Sequence, residues 1–155
     1  DQITDILASG HASRFYRNIM MSDPLFTYAD ASILGSDEPG LLMLNARITS
    51  DTDSDIARAT QRLIDEASRI WSEGVTDDEA ARAHTRYESQ HTFAMLSYLN
   101  KAQTLAQTEM QHDDIDTLVD RYNAITPAML RRVAEEIITP AKAMTLIYHP
   151  AGRQS

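Results

Sequence analysis

The chain has 155 residues, 43% of them hydrophobic, and a net charge of -9 at pH 7. A nucleic-acid surface needs clustered basic side chains to displace counterions, and the lysines here are only Lys101 and Lys142. The composition therefore argues against a nucleic-acid partner. The chain contains no Cys, which excludes a disulfide scaffold and a thiolate metal site.

The length and the absence of a dividing linker predict a single domain over residues 1–155, with a polar tail at 150–155. No apolar run approaches the roughly 18 residues that a membrane span needs. The chain opens on Asp1 inside a helical pattern without a leader, so we expect it to be part of a longer protein. A cysteine-free domain is compatible with the cytoplasm and with the periplasm.

Two strand-like runs between Leu25 and Thr49 organise the predicted fold. In each run, apolar and polar residues alternate with period 2, as in a half-buried strand. The Gly, Pro and Asp content of residues 35–40 predicts a hairpin connection. A third run, residues 143–148, is predicted as the last strand. The expected fold class is α+β, an antiparallel sheet (hairpin 25–49 plus strand 143–148) covered on one face by several helices.

Helical periodicity accounts for most of the remaining chain. The first helical segment is interrupted near Gly10, and Asp23-Pro24 ends it. Cap signals predict three later helix starts, and the second of these helices is predicted to run on until Asn100. The predicted N-caps are Thr52, Thr76 and Thr126.

His84, Glu88 and His91 are the only metal-ligand pattern in the sequence. They stand at i, i+4 and i+7 of one predicted helix, so they share a face. The first and last are separated by roughly 10 Å of helical rise, however, which favours a solvated face over a shared ion. The sequence has no nucleophile elbow, no phosphate loop and no zinc-protease motif of the His-Glu-x-x-His or His-x-x-Glu-His type. On the residues alone, no catalytic constellation is evident.

The order of several motifs resembles the C-terminal domain of pitrilysin or insulinase-type zinc peptidases, a family that includes the mitochondrial processing peptidase. That family typically shows a Ser-Arg-Leu-Tyr helix, a Gly-Val-Thr-x-x-Glu-Leu helix start and a late Val-Thr-x-x-x-Val helix. The matching stretches here are Ser13-Arg14-Phe15-Tyr16, Gly74-Val75-Thr76-Asp77-Asp78-Glu79 and Ile125-Thr126-Pro127-Ala128-Met129-Leu130.

The resemblance implies a metallohydrolase-like half-domain that lacks its first strands. Zinc and its His-x-x-Glu-His helix would belong to an N-terminal catalytic domain of the parent protein, and none would be held by this chain. The parent would hydrolyse peptides, whereas this region would be inactive alone, would wall the substrate chamber and would support the catalytic domain. A homologous half or subunit is a further implied partner.

Some members of the family hold substrate with an Arg and, seven residues later, a Tyr. Aligning Leu25-Phe26-Thr27 with the family pattern puts Met20 and Thr27 at those positions, so the substrate-binding residues stay open. Tyr28 is one residue away, on the opposite strand face by alternation, and does not inherit the role.

Two other functions remain open from the sequence. One is a non-catalytic assembly subunit of the same family, and the other is a helical metal or partner-binding module built on His84, Glu88 and His91. Because the sheet is short of strands, we also expect an exposed edge through which the fragment dimerises.

Overall fold

The computed structural model describes residues 1–35 and 40–149, with Pro140 described by its backbone alone. The predicted turn residues 36–39 and the tail at 150–155 lie outside the described residues. Two strands, six α-helices and three shorter helical turns follow in chain order: α1 Gln2–Ala8, a π-helical turn Tyr16–Met20, β1 Phe26–Leu34, β2 Leu41–Ile48, α2 Asp53–Ser72, α3 Asp77–Met95, α4 Tyr98–Met110, a 3-10 turn Ile115–Thr117, α5 Leu118–Asn123, α6 Pro127–Ile137 and a 3-10 turn Pro140–Lys142.

β1 and β2 form the predicted antiparallel hairpin. Ala29 lies opposite Ala46 and Ala31 opposite Leu44. Ala29 and Ala31 are buried under the helices, whereas Tyr28 and Arg47 on the other side are exposed. The helices therefore cover one face of the sheet, and the predicted α+β class is confirmed.

The predicted third strand is corrected by the structure. Residues 143–149 are neither helix nor strand, and in the described part of the chain the sheet contains β1 and β2 alone. Met144, Leu146 and Tyr148 are 95%, 83% and 91% exposed. Alternating apolar residues permit a strand, but a strand also needs a neighbour for its backbone groups, and among the described residues no strand pairs with this run.

The predicted helix starts at Thr52, Thr76 and Thr126 are confirmed. Each threonine side chain accepts a hydrogen bond from the backbone N–H three residues later. The long helical pattern, however, breaks before Asn100, because Ser97 caps a separate α4 with its side chain. Gly74 follows α2 with a φ of +90°, the left-handed conformation that glycine adopts without strain.

The core lies between the sheet and the helices that pack on it. Its largest fully buried side chains come from α1, the π-helical turn region and α2, and α6 closes the layer against α2 with Leu130 and Ala134. These fully buried side chains are Leu7, Phe15, Ile19 and Ile70.

Two hydrogen-bonded links fix the π-helical turn against α2. The Asn18 amide donates to the Glu66 carboxylate over 2.8 Å, and Arg62 donates to the Asn18 carbonyl over 2.9 Å. Since the Glu66 carboxylate is buried, it needs such hydrogen-bond donors, and it also accepts a hydrogen bond from Arg69 Nη1 over 2.9 Å. The segment that precedes β1 is therefore held in a fixed place above the sheet.

Candidate functional site

Two motifs of the sequence meet at an ion pair between Arg14 and Glu79. Arg14 Nε donates to Glu79 Oε1 over 2.7 Å, and Arg14 Nη2 donates to Glu79 Oε2 over 2.8 Å. Arg14 Nη2 also donates to the Gly74 carbonyl over 2.7 Å. The Glu79 carboxylate in turn accepts the Thr76 backbone N–H, completing a capping box at the start of α3. One guanidinium therefore joins the turn after α1 to the α2–α3 connection.

The Glu79 carboxylate is strongly stabilised in its charged form. Burial alone would raise the pKa of Glu79, but the hydrogen bonds from Arg14 and from Thr76 outweigh it and lower that pKa to about 2. Glu79 is therefore a structural anion at neutral pH.

A second polar cluster surrounds Asp5 on α1. The Tyr122 hydroxyl donates to Asp5 Oδ2 over 2.9 Å, and the Ser9 hydroxyl donates to Asp5 Oδ1 over 2.8 Å. The Tyr122 ring is stacked on Tyr87, with centroids 3.7 Å apart and planes at 4°. Burial, with the hydrogen bond to Asp5 and its charge, raises the pKa of Tyr122. This cluster connects α1, α3 and α5.

The three candidate metal ligands of α3 each lie in a different setting. His84 Nε2 is buried without a hydrogen-bond partner among the described residues, and its ring meets Tyr122 edge-on. Glu88 accepts a hydrogen bond from Asn123, and the His91 ring is stacked on Tyr87. Over residues 1–35 and 40–149, no group of three His, Asp or Glu side chains could hold a metal ion.

Met20 and Thr27 occupy the positions aligned with the substrate-binding Arg and Tyr of the family. Met20 is half-buried at the end of the π-helical turn, and Thr27 donates its hydroxyl to the Arg47 carbonyl over 3.1 Å. A β-bulge lies between Phe26 and Tyr28 and breaks the strict alternation there. Thr27 and Tyr28 are consequently both exposed, so alternation does not place Tyr28 opposite Thr27 as the sequence suggested.

An open cleft of about 510 Å³ lies between α1 and the turn after it on one side and α3 on the other. Ile6, Ala12 and Ala83 supply apolar lining, and Arg82 and Arg86 supply positive charge. Sequence reasoning missed this cleft, because its walls are more than 60 residues apart in the chain and no local motif links them.

Two side chains of the cleft that could take part in nucleophilic chemistry are held by other partners. The Ser9 hydroxyl in the cleft is bound to a carboxylate, and His11 is stacked on Tyr16 with centroids 4.5 Å apart. A nucleophile needs a base within hydrogen-bond reach, and the described residues of the cleft provide no Ser–His pair of that kind. Within the same described ranges, no helix has the length and apolar character to cross a membrane.

The fold is that of zinc-protease domains, and this confirms the resemblance seen in the motifs. No family model matches the chain, and no curated protein matches it in sequence. Several solved structures do match over nearly its whole length.

A candidate zinc protease from Bordetella pertussis Tohama I superposes with a TM-score of 0.79 at 20% identity, over 97% of this chain and 83% of that one. The inactive peptidase domain of a candidate zinc protease from Bordetella parapertussis superposes with a TM-score of 0.77 at 17% identity, over 99% of this chain and 83% of that one. A protease from Helicobacter pylori gives 0.76 at 15% identity, over 90% of this chain and 34% of that one. The chain thus spans about a third of the Helicobacter protein.

Proposed function

We propose that this chain is the C-terminal, non-catalytic domain of a zinc-dependent metalloendopeptidase of the pitrilysin or insulinase type. The observation that carries the proposal is the one-sided sheet. Helices bury Ala29 and Ala31 on one face of β1 and leave the opposite face open, in a fold shared with zinc-protease structures. An open sheet face backed by helices is the geometry of a chamber wall.

In the parent protein, an N-terminal domain would supply zinc, and the metal would activate the water that attacks the peptide carbonyl. The contribution of this chain is rigid support. The Arg14–Glu79 pair fixes α3 to the turn after α1, and Asn18 with Glu66 fixes the approach to β1. Both links hold the open sheet face in a constant position relative to the helices behind it.

A non-catalytic assembly subunit is the second candidate function. The matching structure from Bordetella parapertussis is an inactive peptidase domain, so this fold occurs without catalysis. The two candidates differ in the parent sequence, because a peptidase needs a His-x-x-Glu-His helix and an assembly subunit does not. Reading that sequence separates them.

A zinc titration of the purified chain by calorimetry tests the proposal against a metal-binding module. Because His84, Glu88 and His91 lie in separate settings and form no three-ligand group among the described residues, we expect no saturable zinc binding. A stoichiometric zinc site that disappears in His84→Ala and persists in the loop variant His112→Ala would overturn the proposal.

For the chain on its own, we also propose a dimer in which residues 143–149 of one copy add a strand to the open hairpin of another. The run has exposed, alternating apolar side chains, and the described part of the sheet has no strand beyond β1 and β2. We expect a concentration-dependent dimer in sedimentation velocity.

Leu146→Pro removes a backbone donor from the run without removing a packed side chain, because Leu146 is 83% exposed. We therefore expect this variant to be monomeric with an unchanged melting temperature. Strand addition would be contradicted if the unsubstituted chain were monomeric at all concentrations, or if Leu146→Pro left the dimer intact.

A further inference from the structure

Arg86 on α3 presents a guanidinium to the cleft between α1 and α3 that is ion-paired with Asp5 but donates no hydrogen bond to it. Arg86 Nε lies 3.7 Å from Asp5 Oδ1, too far for a hydrogen bond, and the side chain is 42% exposed. Arg86 donates no hydrogen bond to any residue in the described part of the chain. Its Nη1 lies 3.5 Å from the point where a Cβ on Gly10 would stand, so the glycine leaves room beside it.

The acidic groups of the same cleft are already satisfied by other partners. Asp5 accepts hydrogen bonds from Tyr122 and Ser9, and Glu79 is bound by Arg14. Although Arg86 is ion-paired with Asp5, its N–H groups have no hydrogen-bond acceptor among the described residues and are the donors that the cleft can offer to a ligand. A guanidinium with free N–H groups matches a carboxylate in a planar, two-point arrangement.

The size and lining of the cleft narrow the class of ligand. A volume of about 510 Å³ is in the range of small-molecule sites. Ala12 is exposed and offers apolar contact, whereas Ile6 and Ala83 are largely buried, so the cleft favours a molecule with a short apolar body and one anionic end. The net charge of -9 and the nearby Asp5 favour a monoanion over a dianion such as phosphate.

We propose that this cleft binds a monocarboxylate with a short apolar body, such as the C-terminal residue of a peptide, through Arg86. Arg82, one turn earlier on α3, adds positive charge to the same wall, although it is paired with Asp78. The proposal does not depend on the peptidase role proposed above, because it uses only contacts within this chain.

The test is a chemical-shift titration of the ¹⁵N-labelled chain with three probes: acetyl-Ala-Ala-Leu with a free carboxylate, its C-terminal amide, and inorganic phosphate. We expect the free acid to shift the amides of residues 9–13 and 82–89 in a saturable way. Loss of the charge-assisted hydrogen bonds weakens binding by about tenfold or more, so the amide and the Arg86→Gln variant should both bind at least that much more weakly.

Arg132→Gln is the matched control, since Arg132 is an exposed arginine on α6 and does not line the cleft. Should Arg86→Gln fail to fold, Arg86→Lys keeps the charge but lacks the planar guanidinium that binds a carboxylate at two points. We expect Arg86→Lys to bind the peptide acid more weakly than the unsubstituted chain. Equal shifts with the acid and the amide, no shifts at residues 82–89, or tighter binding of phosphate than of the peptide acid would overturn the proposal.

Discussion

Arg14 and Glu79, 65 positions apart in the chain, are joined by two hydrogen bonds of 2.7 and 2.8 Å between a guanidinium and a carboxylate. Their side chains are only 10% and 16% exposed. The pair gives a physical reason for two motifs in the sequence, since Arg14 belongs to the first helical motif and Glu79 to the capping box of α3. It fixes the relative position of the segments that carry them.

Replacing Glu79 by Gln should destabilise the domain strongly. The variant leaves the Arg14 charge in a nearly closed environment without a counter-charge, which typically costs about 3 kcal/mol. Asp78→Asn is the control on the same helix turn, because its pair with Arg82 is exposed and worth about 0.5 kcal/mol. Urea unfolding measures both, and equal losses in the two variants would contradict the structural role of the pair.

Acid should weaken the folded state through the same carboxylate. The folded pKa of Glu79 is about 2, below its ordinary value of 4.5. The stabilisation is therefore complete above the unfolded pKa and is lost as the pH falls from about 4.5 toward 2. We expect the loss from this group to be about 1–2 kcal/mol, since the side chain keeps some contact with solvent.

This contribution is isolated by measuring the free energy of unfolding at a series of pH values for the unsubstituted chain and for Glu79→Gln. The variant should have a flatter pH dependence below pH 4.5, because it has no carboxylate to protonate at position 79. Parallel curves for the two proteins would show that the acid sensitivity comes from other groups.

Tyr122→Phe should cost about 1 kcal/mol. The change removes the buried hydroxyl that donates to Asp5 and keeps the ring that is stacked on Tyr87. Tyr98→Phe is the matched control, because Tyr98 is almost fully exposed. Thermal or urea unfolding compares the two, and a Tyr122→Phe variant as stable as the control would mean that the link to Asp5 adds nothing.

Gly74→Ala should destabilise the domain by about 1 kcal/mol through backbone strain alone. Gly74 has a φ of +90°, and a Cβ there would meet no heavy atom within 4 Å, so no clash contributes. Asn tolerates this conformation better than Ala, and Gly74→Asn should therefore cost less. If Ala and Asn give the same stability in urea unfolding, strain at this position is not the cause.

Local chemistry made much of the fold predictable. The threonine caps at 52, 76 and 126 and the glycine after α2 act within four residues, so their signals can be read directly from the sequence. The hairpin was predictable from period-2 alternation. The class of relatives followed from the order of these same local motifs.

The errors arose where distant partners decide the structure. Residues 143–148 alternate like a strand but have no neighbour in the described sheet, and the bulge at Thr27 depends on pairing with β2. The cleft between α1 and α3, with Arg86 and Asp5 on opposite walls, exists only after the chain has folded. No periodic pattern encodes such a site.

Under the proposed function, bond cleavage is carried out outside this chain, and an assay of peptide hydrolysis tests this most directly. The purified chain is incubated with zinc and an internally quenched peptide library, alongside His84→Ala and a chelator control. We expect rates equal to the protein-free blank in every sample. Zinc-dependent turnover that co-purifies with the chain and is abolished by His84→Ala would contradict the account.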